Sequence, residues 1–462
     1  MPYFTKYFCS YKLNKDHALL INTLTNAIDI VDNKLINEIN NVIKNEGKFS
    51  QINKEEFDKL KQRGYIFNSL DEEKFLLKKY QAMNDKILSN LDQVVYWTIC
   101  PSMECNLACP YCYEISDQNK AIKRLSIKQL NVIFNYILNQ KHNKKTKILI
   151  FGGEPLLKAN YEIIEKILKF GQMNNFQVGI TTNGTTLNSE YLKLLSKYRN
   201  NLAVQITFDG DKNEHNKKKF FQNGQGTFDV ICDNVSKLLI NNIKVSIRIN
   251  VDKQNVQSLD GLKNLFYEKK WNKYPHFGAY AAPVRMYCKN ETTLKDSELL
   301  DIMMKNNWYN KSFIANLNSA VFDKLFNFFN INQKNSLDRL WNVSYCVATR
   351  CNHYCFTANG TISTCLRCAG DENYNIGRFD EKSVTIDKDK LGMWKNRNPF
   401  KMEKCKNCKF ILLCGGGCAK SSISKYKNIN CEACNDIENT LRVFVKHNKN
   451  EFLKKALYDA IK

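Results

Sequence analysis

Cys105, Cys109 and Cys112 stand at C-x3-C-x2-C spacing, directly after the apolar run 94–99. Three thiols this close hold a metal or cluster and leave one coordination position unfilled. A structural zinc site closes with four ligands, whereas a catalytic site keeps one position open. Iron–sulfur clusters are held by Cys thiolates, usually four of them. A three-Cys loop therefore predicts a cluster with one iron free for a substrate or cofactor. The competing reading is a zinc knuckle whose fourth ligand lies elsewhere, with Cys100 as the candidate.

The chain holds 18 cysteines, four between Cys100 and Cys112 and eleven between Cys346 and Cys434. The N-terminus lacks an apolar stretch with a cleavage site, and no run reaches the ~18 apolar residues of a membrane helix. A cytoplasmic location with no membrane contact is the expectation. In a reducing compartment such clustering points to metal or catalysis rather than disulfides. Cys9, Cys232 and Cys288 stand apart and read as small buried apolar residues.

The elements that must position these thiols follow from composition and pattern. A length of 462 residues gives a prior of about three domains, read here as 1–90, 91–330 and 331–462. The net charge of +23 fits an acidic partner or nucleic acid, but the lysines are dispersed rather than gathered in one block. Residues 4–13 and 18–31 read as two strands around Asn14-Lys15-Asp16. Amphipathic helices follow near 32–44 and 54–63, with Gly64 placed as a C-cap and 65–67 as a short strand. This α+β pattern is similar to a winged-helix module. Residues 71–91 read as a charged helical linker.

From residue 94 strands and helices alternate. Strand-like runs lie at 94–99, 147–151, 177–182, 202–208, 244–251 and 277–284. Helical segments lie at 126–139, 162–173, 189–198, 230–239 and 262–270. This predicts βαβ units around a parallel sheet. Polar motifs fall after successive strands, where the chemistry of such barrels sits. They are Gly152-Gly153-Glu154-Pro155, Thr181-Thr182-Asn183-Gly184 and Thr207-Phe208-Asp209-Gly210, the last followed by His215. Arg248 and Asn250 share one strand face, and a guanidinium matches a carboxylate in two-point fashion. Residues 289–345 read as polar helices, with Phe322, Phe326, Phe328 and Phe329 as packing.

The Cys loop with Tyr111 before its last thiol, and these motifs in this order, resemble the radical S-adenosylmethionine (SAM) enzymes. The resemblance implies an α/β fold built on a partial (β/α)6 TIM-like barrel. Cys105, Cys109 and Cys112 would hold a 4Fe–4S cluster. Gly152, Gly153 and Glu154 match the motif that binds the SAM amino group. Thr182, Asn183 and Thr207 match cofactor turns, with Thr207 in place of the usual Ser, and Arg248 is a candidate for the SAM carboxylate. Tyr111 would pack near the adenine. The implied chemistry is reductive cleavage of SAM to a 5′-deoxyadenosyl radical, which abstracts hydrogen from a substrate carbon.

The run Cys405-x2-Cys408-x5-Cys414-x3-Cys418, with Gly415-Gly416-Gly417 inside it, resembles the SPASM extension that carries two auxiliary 4Fe–4S clusters. The resemblance implies one ligand set of Cys346, Cys351, Cys365 and Cys418. The other would be Cys405, Cys408, Cys414 and Cys431, with Cys434 the rival to Cys431. Two interleaved zinc sites are the alternative. The N-terminal module is similar to those that grip the leader of a precursor peptide. A peptide maturase that installs a thioether or other crosslink is thus expected, with an acidic leader and an electron donor such as flavodoxin or ferredoxin as partners. Anaerobic sulfatase maturation is the second enzyme reading. A zinc-stabilised nucleic-acid binder is the third, and it leaves the strand-end motifs unexplained.

Overall fold

A computed structural model describes residues 2–44, 49, 52–89, 94–112, 124–140, 146–284, 293–308, 316–317, 345–431 and 436–454. Cys288, Cys434 and the four phenylalanines between 322 and 329 lie outside the described residues.

The N-terminal strands are β1 (Tyr3–Phe4), β2 (Phe8–Lys12), β3 (His17–Asn22) and β4 (Ile28–Asp32). The run 18–31 is therefore two strands rather than one. Asn22 Oδ1 accepts from the backbone N–H of Leu24 and Thr25, and Asn26 sits at φ 63°, so the chain turns back on itself. Asx turns and left-handed Asn supply that geometry. Strands β2, β3 and β4 form an antiparallel sheet in that order, and β1 pairs with β5 (Ile66–Phe67). Helices α1 (Asn33–Lys44) and α2 (Lys54–Gln62) cover one sheet face through Leu35, Ile39, Val42 and Leu60. After α2, Tyr65 N–H reaches Leu60 O and Gly64 N–H reaches Lys61 O, a Schellman closure.

The other sheet face does not stand alone. Tyr11, Leu19 and Ile21 pack on Phe410, Leu413, Leu441 and Val445 from the far end of the chain. Helix α3 (Leu70–Ser89), expected as a linker, also packs. Leu76 and Leu77 join a core with Tyr7, Phe67, Ile411 and Leu412, and buried Glu73 accepts from Thr5.

The central sheet is built from β6 (Tyr96–Ile99), β7 (Lys147–Ile150), β8 (Gln177–Thr182), β9 (Leu202–Phe208), β10 (Lys244–Val251) and β11 (Phe277–Pro283). All six run parallel in sequence order, as the alternating pattern predicts. Between them lie α4 (Ile127–Leu138), α5 (Tyr161–Met173), α6 (Ser189–Lys197), α7 (Lys212–Lys218), α8 (Phe228–Ile240) and α9 (Leu259–Glu268). Side chains alternate along each strand. Val204, Ile206, Ile247 and Ile249 are buried in the hydrophobic core. The opposite face of the same strands carries Ala203, Gln205, Thr207, Ser246, Arg248 and Asn250, all half-buried.

The sheet does not end with the barrel. Beyond β11 lie β12 (Asn316–Leu317) and the helix α10 (Asp296–Lys305). On the opposite edge β13 (His353–Phe356) adds parallel to β6, and β14 (Thr361–Ser363), β15 (Asn375–Phe379) and β16 (Val384–Ile386) follow antiparallel. The Cys-rich region is thus hydrogen-bonded into the barrel's first strand. It ends with α11 (Lys388–Lys395), α12 (Ala419–Tyr426) and α13 (Ile437–His447). Among the described residues no helix is long and apolar enough to cross a membrane.

Candidate functional site

The loop after β6 carries Cys105, Cys109 and Cys112, all half-buried. It is pressed against the turn after β7. Gly153 N–H donates to Ser102 O at 3.3 Å and Glu154 N–H to Glu104 O at 2.7 Å. A Cβ on Gly152 would stand 2.3 Å from Ser102 O, and one on Gly153 2.3 Å from Glu104 O. Gly152 also sits at φ 130°, which side chains rarely adopt. The two glycines therefore admit the backbone of the cysteine loop itself.

Glu154 is wholly buried, and its carboxylate faces inward. It accepts from Thr182 Oγ1 at 2.7 Å, Asn183 N–H at 2.7 Å and Leu156 N–H at 2.8 Å. Burial pushes its pKa up, and these hydrogen bonds oppose the shift. Expected as a ligand for an ammonium, this side chain is occupied in joining the turns after β7 and β8. Thr182 is bound up in the same way. Asn183 extends the chain of contacts: its Nδ2 donates to Asn106 Oδ1 at 2.9 Å and lies 3.9 Å from Cys105 Sγ.

Tyr111, expected beside an adenine, donates from its hydroxyl to both Asp209 oxygens at 2.8 and 2.7 Å. Asp209 also accepts from Asn250 Nδ2 at 3.2 Å. Lys219 Nζ lies 3.6 Å from Asp209 Oδ2, and both residues are buried. Asp209 therefore pins the cysteine loop to the ends of β9 and β10. The Asp209 carboxylate and the three cysteine thiols outweigh burial and hold the Lys219 ammonium above its usual range. Burial pushes Cys105 up to about 12, and its thiol neighbours Cys109 and Cys112 add to that. Lys219 opposes the burial shift at Cys109. A buried cation beside three thiols fits a negatively charged cluster there. Sequence reading passed over Lys219 because it ends a three-lysine run that looks like a solvated helix face.

Thr207 and Arg248 line the barrel lumen. Arg248 Nε donates to Asn250 Oδ1 at 2.9 Å, and its guanidinium lies over the Tyr280 ring at 6.0 Å. The lumen opens at the N-terminal ends of the strands into a cavity of about 1280 Å3. Thr98, Leu149, Gly179 and Arg248 line it, and so do Cys346, Cys365 and Cys418. The two groups of thiols therefore stand at opposite mouths of one barrel.

Cys346 has Cys365 and Cys418 as charge neighbours, and Cys351 in turn feels Cys346. These four are the first expected auxiliary set. Cys365 is also hydrogen-bonded to Cys368, which belongs to neither expected set. Cys100 is not a fourth partner of the N-terminal loop: its sulfur lies 3.8 Å from that of Cys355, at the buried β6–β13 junction. Cys405, Cys414 and Cys431 lie around the buried guanidinium of Arg397, and Cys408 packs against the core that joins the N-terminal sheet to α13. Among the described residues no three His, Cys, Asp or Glu side chains converge closely enough for a single metal ion. The thiols are neighbours rather than a closed single-ion site. His353, also passed over, bridges β13 to Thr98 Oγ1 at 2.8 Å and Thr364 O at 2.7 Å.

Comparison with known proteins agrees with this arrangement. Residues 99–266 match the model of the radical SAM superfamily. A cysteine-type anaerobic sulfatase-maturating enzyme of Clostridium novyi is 27% identical over 348 residues, 71% of this chain and 88% of that protein. Among solved structures, native anSMEcpe with bound AdoMet and Kp18Cys peptide superposes at a TM-score of 0.57 and 20% identity, over 79% of this chain and 99% of that one. Crystalline Streptococcus suis SuiB bound to precursor peptide SuiA reaches 0.50 at 17% identity, over 94% and 98%. These structures show the shared fold. Three thiols on the loop after the first strand of a parallel barrel, the strand-end motifs in order and the family match lead to one conclusion: residues 99–266 form a radical SAM domain, and a Cys-rich C-terminal region follows it.

Proposed function

We propose that this enzyme modifies a ribosomally made precursor peptide and forms a thioether or another crosslink in it. Cys105, Cys109 and Cys112 hold a 4Fe–4S cluster, and Asn183, Thr207 and Arg248 face the SAM beside it. Gly152, Gly153 and the Glu154 N–H hold the cysteine loop, Tyr111 ties it to Asp209, and the Glu154 carboxylate and Thr182 join the turns that face the SAM. Cys346, Cys351, Cys365 and Cys418 hold one auxiliary cluster. Cys405, Cys408, Cys414 and Cys431 hold the other, with Cys434 the rival to Cys431. Bound SAM and its reduced cluster supply hydrogen abstraction from an unactivated carbon. The protein supplies position, dryness and charge. A flavodoxin or ferredoxin type of donor supplies the electron.

The observation that carries the peptide reading is a groove of about 710 Å3 along β2. Among the described strands β2 pairs with β3 alone, so its other edge is open. Lys6, Lys12, Lys409, Arg442, Lys446 and Lys449 line the groove, with Glu438 the acidic exception. An extended peptide adds to an open edge through main-chain hydrogen bonds, and this rim favours an acidic leader. SuiB, whose fold is shared, is known bound to its precursor peptide.

Sulfatase maturation is the second reading, favoured by the 27% identity to the Clostridium novyi enzyme. The test is anaerobic incubation of the reconstituted protein with SAM, a reductant and either an acidic-leader precursor or a sulfatase Cys peptide. Peptide-dependent 5′-deoxyadenosine and hydrogen loss in the precursor support the proposal. Formylglycine in the sulfatase peptide, with the precursor unchanged, would overturn it.

A further inference from the structure

Arg397 follows α11 and is 3% exposed. Its Nη1 donates to the carbonyls of Ile429 and Cys431, the latter at 2.8 Å. Its Nη2 donates to Gly416 O at 2.8 Å, Gly417 O at 3.2 Å and Ser422 Oγ at 3.3 Å. Ser422 Oγ in turn donates to Cys431 O at 2.6 Å. Gly415, Gly416 and Gly417 sit at φ 64°, 82° and 73°. Three successive left-handed residues need glycine, and the turn they make offers two carbonyls to one guanidinium. A single side chain thus ties the Cys414–Cys418 turn to the segment that ends in Cys431.

A guanidinium stays charged, and burying it without an anion is costly. Among the described residues, its electrostatic neighbours include the thiols of Cys418, Cys405, Cys346 and Cys414, which would be anionic once they hold clusters. Cys346 and Cys418 belong to one expected ligand set, Cys405 and Cys414 to the other. The Arg397 Nε is buried with no partner among the described residues. It is a donor that cluster sulfur would satisfy.

We propose that Arg397 is a positioning residue shared by the two auxiliary clusters. It fixes Cys418 and Cys431, one ligand of each, relative to one another. It also places a positive charge beside thiols of both expected sets, which would make both clusters easier to reduce. The inference rests on the two-cluster reading of the Cys-rich region.

The test is a redox titration followed by EPR, with Cys105, Cys109 and Cys112 all changed to Ala so that only the auxiliary signals remain. Arg397→Gln is expected to lower both potentials, by at least tenfold in the reduction equilibrium, about 59 mV for one electron. Arg397→Lys keeps the charge but loses the fork. It should hold both potentials within about threefold in equilibrium constant, roughly 28 mV on the same scale, yet release iron to a chelator faster. A loaded Arg397→Gln protein with either potential unmoved overturns the proposal. If Arg397→Gln yields no loaded protein, Arg397→Lys decides: retained potentials support the proposal, and a tenfold fall overturns it. Protein with native Arg397 but no auxiliary signals would overturn the two-cluster reading itself, and this inference with it.

Discussion

The Lys219 ammonium stands 3.6 Å from the Asp209 carboxylate, and both are buried at the barrel rim beside Cys109. Tyr111 of the cysteine loop donates to the same carboxylate. Removing one member of a buried ion pair leaves the other uncompensated, at about 3–5 kcal/mol. Lys219→Met should lower the denaturation midpoint accordingly, whereas Lys219→Arg should keep most of the stability. Urea titration of the metal-free proteins checks this. Equal stability of Lys219→Met and the native chain would sink the account of this pair.

Glu154→Gln tests the inward role of that carboxylate. A Gln offers one oxygen and places an NH2 against the N–H of Leu156 or Asn183. An unsatisfied buried donor costs about 1–3 kcal/mol. The Thr182–Asn183 turn should loosen, and SAM affinity should fall with it. Equilibrium dialysis of SAM against the reconstituted variant measures this, and native affinity would contradict the assignment.

Gly152→Ala should act on iron rather than on folding of the barrel. The new Cβ meets Ser102 O at 2.3 Å in a left-handed backbone, so the cysteine loop must shift. Iron analysis should show loss of the Cys105–Cys112 cluster with the auxiliary irons retained. A full complement of iron would show that the loop tolerates the displacement.

His215 gives a pH dependence whose sign follows from its neighbours. Its Nδ1 accepts from Asp209 N–H at 3.2 Å, and Nε2 faces Thr227 Oγ1, which itself donates to Lys219 O. The ring is therefore neutral with its proton on Nε2, and burial pushes its pKa down to about 3. The unfolded chain takes up this proton near pH 6.5, while the native chain resists. Stability is full above that pH and falls as pH drops toward the folded value, by about 2 kcal/mol at pH 5. Replacing His215 with Gln should flatten that slope in urea titrations at pH 8 and 5.

The charged groove along β2 predicts a salt-dependent peptide interaction. Arg442→Glu with Lys446→Glu should weaken binding of an acidic peptide at least tenfold. SAM cleavage without peptide should stay at its native rate, because both residues line the groove along β2, and Asp301, which pairs with Lys446, lies on α10, outside the cysteine loop and the strand-end motifs. Fluorescence anisotropy at two salt concentrations measures the first effect and deoxyadenosine release the second.

Much of the barrel was legible because its signals are local. Apolar alternation set β8, β9 and β10 to their observed ends, and each Gly or Asp-Gly motif marked the turn after its strand. What escaped depends on long-range packing. The break at Asn26 rests on one left-handed residue inside an apolar run. The joining of β13 to β6, and the packing of Leu19 and Ile21 on Leu441 and Val445, connect residues hundreds of positions apart. Lys219 and Arg397 read as ordinary surface charges in sequence, because their importance lies in what surrounds them. Glu154 and Tyr111 read in sequence as cofactor contacts, and the structure adds the partners sequence could not show: Thr182 and Asn183 for the Glu154 carboxylate, and Asp209 for the Tyr111 hydroxyl.

Metal content tests the central claim most directly. Anaerobically reconstituted protein should carry about twelve irons with matching sulfide, show a brown band that bleaches on reduction, and fall to about eight irons when Cys105, Cys109 and Cys112 are changed to Ala. A colourless protein that binds zinc and takes up no iron under the same conditions would contradict the account.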